Sequence, residues 1–314
     1  MIDFLLTLLI TRTNPMLIHT RANNAALASL VANIAAADGD YPTAIPALTI
    51  YRRNAVTAPM PCIYGLGLGL TVQGGKRVTL GNEIFDYGPG QSLITSVDLP
   101  VVSYVTQASV AEPYLGLRLE LDARLISQLA ADPDVVAGAK SSGGRAVSVV
   151  ELEDGLLEAV SRLVSLLEEP ALMASIYPLI LQEITIRLLN GQYGPTLRNL
   201  VAQGSPSQQI ARVLSWLKLN FTQDLSMEAL AAKACMSPST FRQHFRALTG
   251  MSPLQYLKSL RLQEARQVMM NEGLDAGSAA VRVGYESASQ FSREYTRLFG
   301  APPLRDIKRI RAAG

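Results

Sequence analysis

Two stretches of the chain gather the side chains that can read a DNA base edge. Ser239, Arg242, Gln243 and Arg246 occur in one, and Ser289, Ser292, Arg293 and Arg297 in the other. An arginine fork can donate to both major-groove acceptors of guanine, a glutamine amide matches adenine, and a serine hydroxyl serves either. Arg246 and Arg297 suit phosphates, which add affinity without sequence information. Such groups work only if helices hold them outward on one face, so the apolar residues between them decide whether the chemistry is available.

Those apolar residues repeat. At an offset of 50, residues 236–253 align with 286–303. Ser237 matches Ser287, Ser239 matches Ser289, Phe241 matches Phe291, Leu248 matches Leu298, Gly250 matches Gly300 and Pro253 matches Pro303. Phe245 faces Tyr295, and at the same offset residues 229–232 sit over 279–282. Each copy reads as a short helix with small residues and then a brief turn, formed by Ala234, Cys235 and Met236 or by Gly284, Tyr285 and Glu286. A serine at the N-cap follows, with Pro238 at the first helical position of copy one. The next helix buries a stripe spaced i, i+4, i+7: Phe241, Phe245 and Leu248, then Phe291, Tyr295 and Leu298. Gly250 and Gly300 stop the two helices. This pattern predicts two helix-turn-helix units, at about 226–248 and 276–299, whose second helices would enter the major groove. Between them Ser252 and Pro253 open a helix running to about Asn271. At 1.5 Å per residue that rod is about 27 Å long, comparable with the roughly 34 Å of one DNA turn.

The charge distribution agrees. Residues 206–314 hold 15 Lys and Arg against 8 Asp and Glu, whereas residues 1–205 hold 13 against 18. A basic end on an acidic body suits a polyanion partner. Two cysteines, Cys62 and Cys235, exclude a disulfide framework and fit a reducing cytoplasm. Two histidines, His19 and His244, exclude a multi-histidine metal centre, so no metal, cofactor or catalytic residue is expected. The apolar run 1–10 is too short to span a bilayer. It also lacks a basic leader, since Asp3 precedes it and Arg12 follows. The chain is therefore expected to be cytoplasmic, with no membrane partner. Met16 is an alternative start, which would make residues 1–15 a non-native extension.

The front half has another texture. Helices are expected at 24–36, 122–130, 151–169 and 176–190, the last with Pro178 in its first turn. Between 48 and 121, short runs rich in Val, Ile, Thr and Tyr alternate with glycine signals, predicting a small barrel or sandwich. Gly74 and Gly75 read as a two-residue hairpin turn, and Gly81 with Asn82 and residues 87–90 read as further turns. Leu152, Leu156, Val160, Leu163 and Leu167 form one stripe, either a dimer seam or plain packing, with the dimer favoured. Glycines and prolines within 192–207 mark a link, and Ile210, Val213, Leu214 and Leu217 then resume an amphipathic helix. The expected layout is a sensor and dimerisation domain over 16–200 and a DNA-binding domain over 206–314.

Residues 230–253 resemble one signature of the AraC/XylS family of bacterial regulators. Its other signature resembles Val283, Gly284, Tyr285, Glu286 and Ser287, then Phe291 through Tyr295, then Phe299 through Pro303. About 100 residues carry this likeness. In one departure, Asp306 stands where an aromatic is commoner; little effect is expected, because the position lies beyond the reading helix. The front half resembles the AraC-type N-terminal module in residues 48–52, 72–74, 96–100, 113–115 and 187–189. The resemblance implies an α+β chain, with a cupin-like β-barrel and helices before an all-α tandem helix-turn-helix domain. It implies an activator answering a small-molecule effector, with RNA polymerase as a partner and a homodimer as the working form. By the family's docking mode, Ser239, Arg242 and Gln243 would touch bases in the first unit, and Ala288, Ser289, Ser292 and Arg293 in the second.

Other readings are weaker. A cupin-like metabolite-binding protein or enzyme with an accessory basic domain is the alternative, but the barrel stretch has no histidine to ligate a metal. Residues 70–77 lack the first glycine and the Ser/Thr of a phosphate loop, and 65–69 lack dinucleotide spacing. Cys62 is a candidate effector-sensing thiol, although a buried small hydrophobe is the plainer role for such a cysteine. Cys235, in the turn of copy one, is expected in the core.

Overall fold

The structure, a computed structural model, describes residues 15–133, 135, 145–223 and 225–313. The extension expected at 1–15 lies outside the described residues save Pro15. Helix α1 (Pro15–Ile34) leads into strands β1 (Gly39–Pro42), β2 (Leu48–Arg53), β3 (Met60–Tyr64), β4 (Gly67–Gln73), β5 (Gly75–Leu80), β6 (Glu83–Tyr87), β7 (Gln91–Thr95), β8 (Leu99–Gln107) and β9 (Tyr114–Glu120). Helix α2 (Ala123–Ala130), strand β10 (Val147–Glu151) and helices α3 (Asp154–Ser165), α4 (Pro170–Asn190) and α5 (Gly194–Val201) complete the front half. Among the described residues, seven helices follow: α6 (Pro206–Asn220), α7 (Met227–Lys233), α8 (Pro238–Thr249), α9 (Pro253–Asn271), α10 (Ala276–Arg282), α11 (Ala288–Phe299) and α12 (Pro303–Ala313).

The strands form two antiparallel sheets, ordered β1-β2-β9-β4-β7-β10 and β3-β8-β5-β6. Alternation gives the larger sheet two distinct faces. Leu48, Ile50, Leu68, Leu70, Ile94, Leu117 and Leu119 are buried with Leu27, Val31, Val160, Leu163 and Ile184 from α1, α3 and α4. The opposite face carries Tyr51, Gly69, Thr71, Gly116 and Arg118, in register as Tyr51 with Gly116, Thr71 with Gly116 and Gly69 with Arg118. The smaller sheet offers Cys62, Tyr64, Lys76, Val78, Leu99, Val101 and Ser103 on its matching face, with Cys62 opposite Val101 and Tyr64 opposite Leu99.

Several expectations are corrected. Gly74 does not turn a hairpin, because β4 and β5 belong to different sheets. Gly74 makes the corner between them at φ +79°, and a side chain there would collide with the Gln107 carbonyl. The Gly81–Asn82 turn does join a hairpin, pairing Leu80 with Glu83. Helix α4 begins at Pro170, not near 176, so Pro178 lies inside it. Pro170 supplies the preset φ at the helix start that had been assigned to Pro178. Glu151 ends a strand rather than opening a helix, and part of the supposed link is helix α5. The Leu152 to Leu167 stripe is covered within the chain: Val160 and Leu163 are fully buried beside α1 and α4. It is packing, not an open seam.

Among the described residues, three hydrophobic clusters result. One lies between the larger sheet and its helices. A second runs from Val78, Leu99 and Val101 of the barrel through Ile210 and Leu214 to Phe241, Phe245 and Tyr256. The third belongs to the second unit and α9, and centres on Phe291, Tyr295 and Phe299. The first unit thus shares a core with the barrel, and the second has its own.

Candidate nucleic-acid interface

Each helix of the two units starts on a side chain that satisfies its free N–H groups. Ser226 accepts from Ala229, Ser237 from Thr240 and Ser287 from Gln290. Asp275 accepts from Gly277 and Ser278, and these bonds hold its carboxyl below the usual range. Ser252 and Gln255 cap α9 reciprocally. Gly250 and Gly300 close α8 and α11 at φ +72° and +74°. The buried stripes interlock as aromatic pairs: Phe241 with Phe245, then Phe245 with Tyr256, at 5.5 and 5.6 Å; Phe291 with Tyr295, then Tyr295 with Phe299, at 5.5 and 4.3 Å. Each fully buried ring contributes about 1.5–3 kcal/mol and fixes the rotation of its helix.

That rotation decides which residues face out. Ser239, Arg242, Gln243 and Arg246 are exposed on α8; Ala288, Ser289, Arg293 and Arg297 are exposed on α11, while Ser292 is half-buried. Among the described residues, Arg242, Arg246, Arg293 and Arg297 have no ion-pair partner. Their charge is therefore available to an external polyanion.

The repeat is not uniform. The buried pair Leu230 and Ala231 corresponds to Ala279 and Ala280, an offset of 49. The second copy carries one extra residue in its turn, so residues 229–232 superpose on 278–281 rather than 279–282. The positive φ angles follow the same offset, with Cys235 at +54° and Gly284 at +84°. Cys235 is consequently exposed, not core: a left-handed residue ending a helix turns its side chain outward. A non-glycine there costs about 1–2 kcal/mol, partly offset by the greater unfolded-state freedom of glycine. Cys235→Gly is expected to stabilise the chain by about 0.5 kcal/mol; a lowered denaturant midpoint would contradict it.

Sequence reasoning missed how α9 organises the interface. Its Tyr256 hydroxyl donates to the Asp98 carbonyl at 3.0 Å, and its Gln263 amide donates to the Cys62 carbonyl at 3.2 Å. Both partners lie in the barrel. Arg261 ties the segment after α6 to the second unit, donating to the carbonyls of Phe221, Gln223 and Gly284 at 2.6, 2.9 and 3.1 Å. Lys258 pairs with Glu294 at 2.7 Å. Burial works to raise the Glu294 carboxyl, but bonds from Lys258, Tyr285 and Gln290 outweigh it and hold the group below its usual range. Asp306 is the largest revision. It is fully buried, accepts from Arg266 at 2.9 Å and from Tyr295 at 3.0 Å, and also pairs with Arg309 at 2.7 Å. An acid outside α11 thereby fixes α11 to α9. The signal available in the sequence was Asp306 itself, a carboxylate in an otherwise apolar position.

Cys62 sits on the inner face of β3. Burial pushes its thiol up to about 11, against the pull of Lys76, Arg118 and Arg266. It is held as the thiol rather than the nucleophilic thiolate.

Comparison with known proteins bears on both halves. Residues 44–196 match a family described as "AraC-type transcriptional regulator N-terminus", and residues 230–309 match one described as "Helix-turn-helix domain". The HTH-type transcriptional activator RhaS of Klebsiella pneumoniae (strain 342) is 30% identical over 105 residues, covering 33% of this chain and 37% of that protein. The RCS-specific HTH-type transcriptional activator RclR of Escherichia coli (strain K12) is 41% identical over 86 residues, covering 27% and 30%. The chain thus spans about a third of the length of these curated relatives. Unsaturated-fatty-acid-bound ToxT from Vibrio cholerae strain SCE256 has a similar structure, with TM-score 0.56, 10% identity, and 83% and 94% of the two chains covered. At that identity the likeness carries the fold alone.

Proposed function

This chain belongs to the AraC/XylS family of transcription regulators, and we propose that it activates transcription by binding double-stranded DNA sequence-specifically, under control of a small-molecule effector. The carrying observation is the pair of capped helices α8 and α11. Each presents exposed arginine that has no ion-pair partner among the described residues, beside serine or glutamine, on a face fixed by a buried aromatic stripe. Ser239, Arg242 and Gln243 would read bases in one half-site, and Ala288, Ser289, Ser292 and Arg293 in the other. Arg246 and Arg297 would hold phosphates. The test is a gel shift with the promoter region beside the chain's own gene: retention at concentrations that leave random DNA free supports the reading, and equal retention of both contradicts it.

The role is regulatory rather than catalytic, in the cytoplasm, with RNA polymerase as the protein partner and the cupin-like front half as sensor. The hydrogen bonds from α9 to Cys62 and Asp98, beside the shared hydrophobic cluster, link the two halves physically. Sensing by a Cys62 thiolate has no electrostatic support, and an unchanged effector response in Cys62→Ser would remove it.

A homodimer also fits, through a different surface from the Leu152 to Leu167 stripe. Helix α4 buries Ile180, Ile184 and Leu188 but leaves Leu172 48% and Leu179 64% exposed. Its mean hydropathy of 1.4 would suit a membrane span by length and composition, yet its core-facing side is committed to the protein. A second copy covering this face would double the phosphate contacts per complex. Sedimentation at micromolar concentration is expected to show a dimer that Leu179→Glu dissociates; a monomeric parent chain would contradict it.

A further inference from the structure

Helices α9 and α11 open on the same residues and use them differently. Each has a serine at the N-cap and a glutamine three residues on, Ser252 with Gln255 and Ser287 with Gln290. Gln255 turns back and accepts from the Ser252 backbone N–H at 3.0 Å, completing a capping box. Gln290 forgoes that cap; its side-chain amide donates instead to Glu294 Oε1, one turn further along α11, at 3.2 Å. Glu294 is itself held from α9 and from the turn before α11. Lys258 donates to its Oε1 and the Tyr285 hydroxyl to its Oε2, each at 2.7 Å.

This placement leaves Gln290 ready for an outside partner. The residue is exposed, whereas Phe291 beside it is buried and Ser292 and Glu294 are half-buried. It shares the open face of α11 with Arg293 and Arg297, which are also exposed and follow it by three and seven residues. A glutamine amide carries two N–H donors and one carbonyl acceptor, and a carboxylate only accepts. Glu294 therefore takes one N–H and fixes which end of the amide is nitrogen. Among the described residues, the carbonyl oxygen and the second N–H have no other hydrogen-bond partner. One acceptor beside one donor complements the N6 and N7 edge of adenine in the major groove. A long side chain loses rotamer freedom when it docks, and the bond to Glu294 removes much of that loss beforehand.

We propose that Gln290 is a further base-reading residue, specific for an adenine next to the base met by Arg293, and that Glu294, tied down by Lys258 and Tyr285, is its positioning residue. This step rests on the regulator reading above. The first unit offers no counterpart. Thr240 stands at the matching position, its hydroxyl 2.8 Å from Ser237 Oγ, and His244 stands where Glu294 would be. The two half-sites are therefore expected to differ at this base.

The test is selection of binding sites from a pool of random duplexes by the full chain, with Gln290→Ala, Glu294→Ala and Arg293→Ala alongside. The parent chain is expected to enrich a guanine that Arg293→Ala loses, with an adenine within about two base pairs of it. Gln290→Ala should lower the preference for that adenine about tenfold, the scale of one bidentate pair, and keep the guanine. Glu294→Ala, which removes the tether and leaves Gln290 in place, should weaken the adenine preference several-fold and also keep the guanine. A merely structural role would weaken both bases together. If Glu294→Ala fails to fold, Gln290→Ala carries the comparison, because its side chain lies outside the core. An adenine preference undiminished in Gln290→Ala, or a loss spread equally over all sites as for a phosphate contact, overturns the proposal while the regulator reading stands. A parent chain that enriches no sequence removes the regulator reading and this step with it.

Discussion

Replacing Asp306 with alanine is expected to unfold the second helix-turn-helix unit while the first remains intact. Asp306 is fully buried, and Arg266, with a side chain only 10% exposed, has it as its ion-pair partner. Removing the carboxylate strands a guanidinium, with the Tyr295 hydroxyl and the Phe299 ring, 4.6 Å away, in partial compensation. Breaking a buried pair from one side costs about 3–5 kcal/mol. The Tyr295 hydroxyl loses its acceptor as well. The damage should stay local because Phe291, Tyr295 and Phe299 form a cluster separate from the one joining the first unit to the barrel. Amide exchange should accelerate across α10, α11 and α12 while α8 and the sheets stay protected. Arg266→Met with Asp306→Leu should recover most of the loss, since an apolar pair of similar volume often replaces a buried ion pair without penalty. Unchanged exchange in the single variant would show that the pair does not hold the unit together.

Removing both Arg242 and Arg293 is the second large effect. Each is expected to contribute about 1–3 kcal/mol of specific binding when replaced by alanine. They lie on different helices with no shared partner, so the losses should add. The double variant should then bind its operator at least about thirtyfold more weakly, at 1.4 kcal/mol per factor of ten. Binding to random DNA should change much less. Arg246→Ala and Arg297→Ala should behave differently, weakening all DNA alike and lowering the salt slope by about one each. Equal losses on operator and random DNA in the double variant would remove base reading by these residues.

The interface was legible in the sequence because its information is local. Caps, stop glycines and an i, i+4, i+7 stripe lie within a dozen residues of one another, and they rotated Ser239, Arg242 and Arg293 outward as the structure does. Long-range placements were not legible. Gly74 announced a positive φ, but turn chemistry does not say whether the next strand returns to the same sheet. The serine and phenylalanine matches after the turn hid the one-residue slip before it, which shows only when buried Leu230 is set against buried Ala279. The Leu152 to Leu167 stripe had a period but no stated partner, and α1 and α4 supply it. Asp306 looked peripheral because its partner Arg266 is 40 residues away. Lys76 stands among Arg77 and Thr79 in a strand of ordinary polarity, and only the two-sheet arrangement turns it inward.

The central claim is that two arginines on separate helices read guanines about one DNA turn apart. Guanine-methylation interference on the promoter region beside the chain's own gene tests it most directly, run with the parent chain, Arg242→Ala and Arg293→Ala. The expected pattern is two sensitive guanine positions roughly 10 base pairs apart, one lost in Arg242→Ala and the other in Arg293→Ala. A pattern that both variants leave intact, or no sensitive guanine at all, would contradict it.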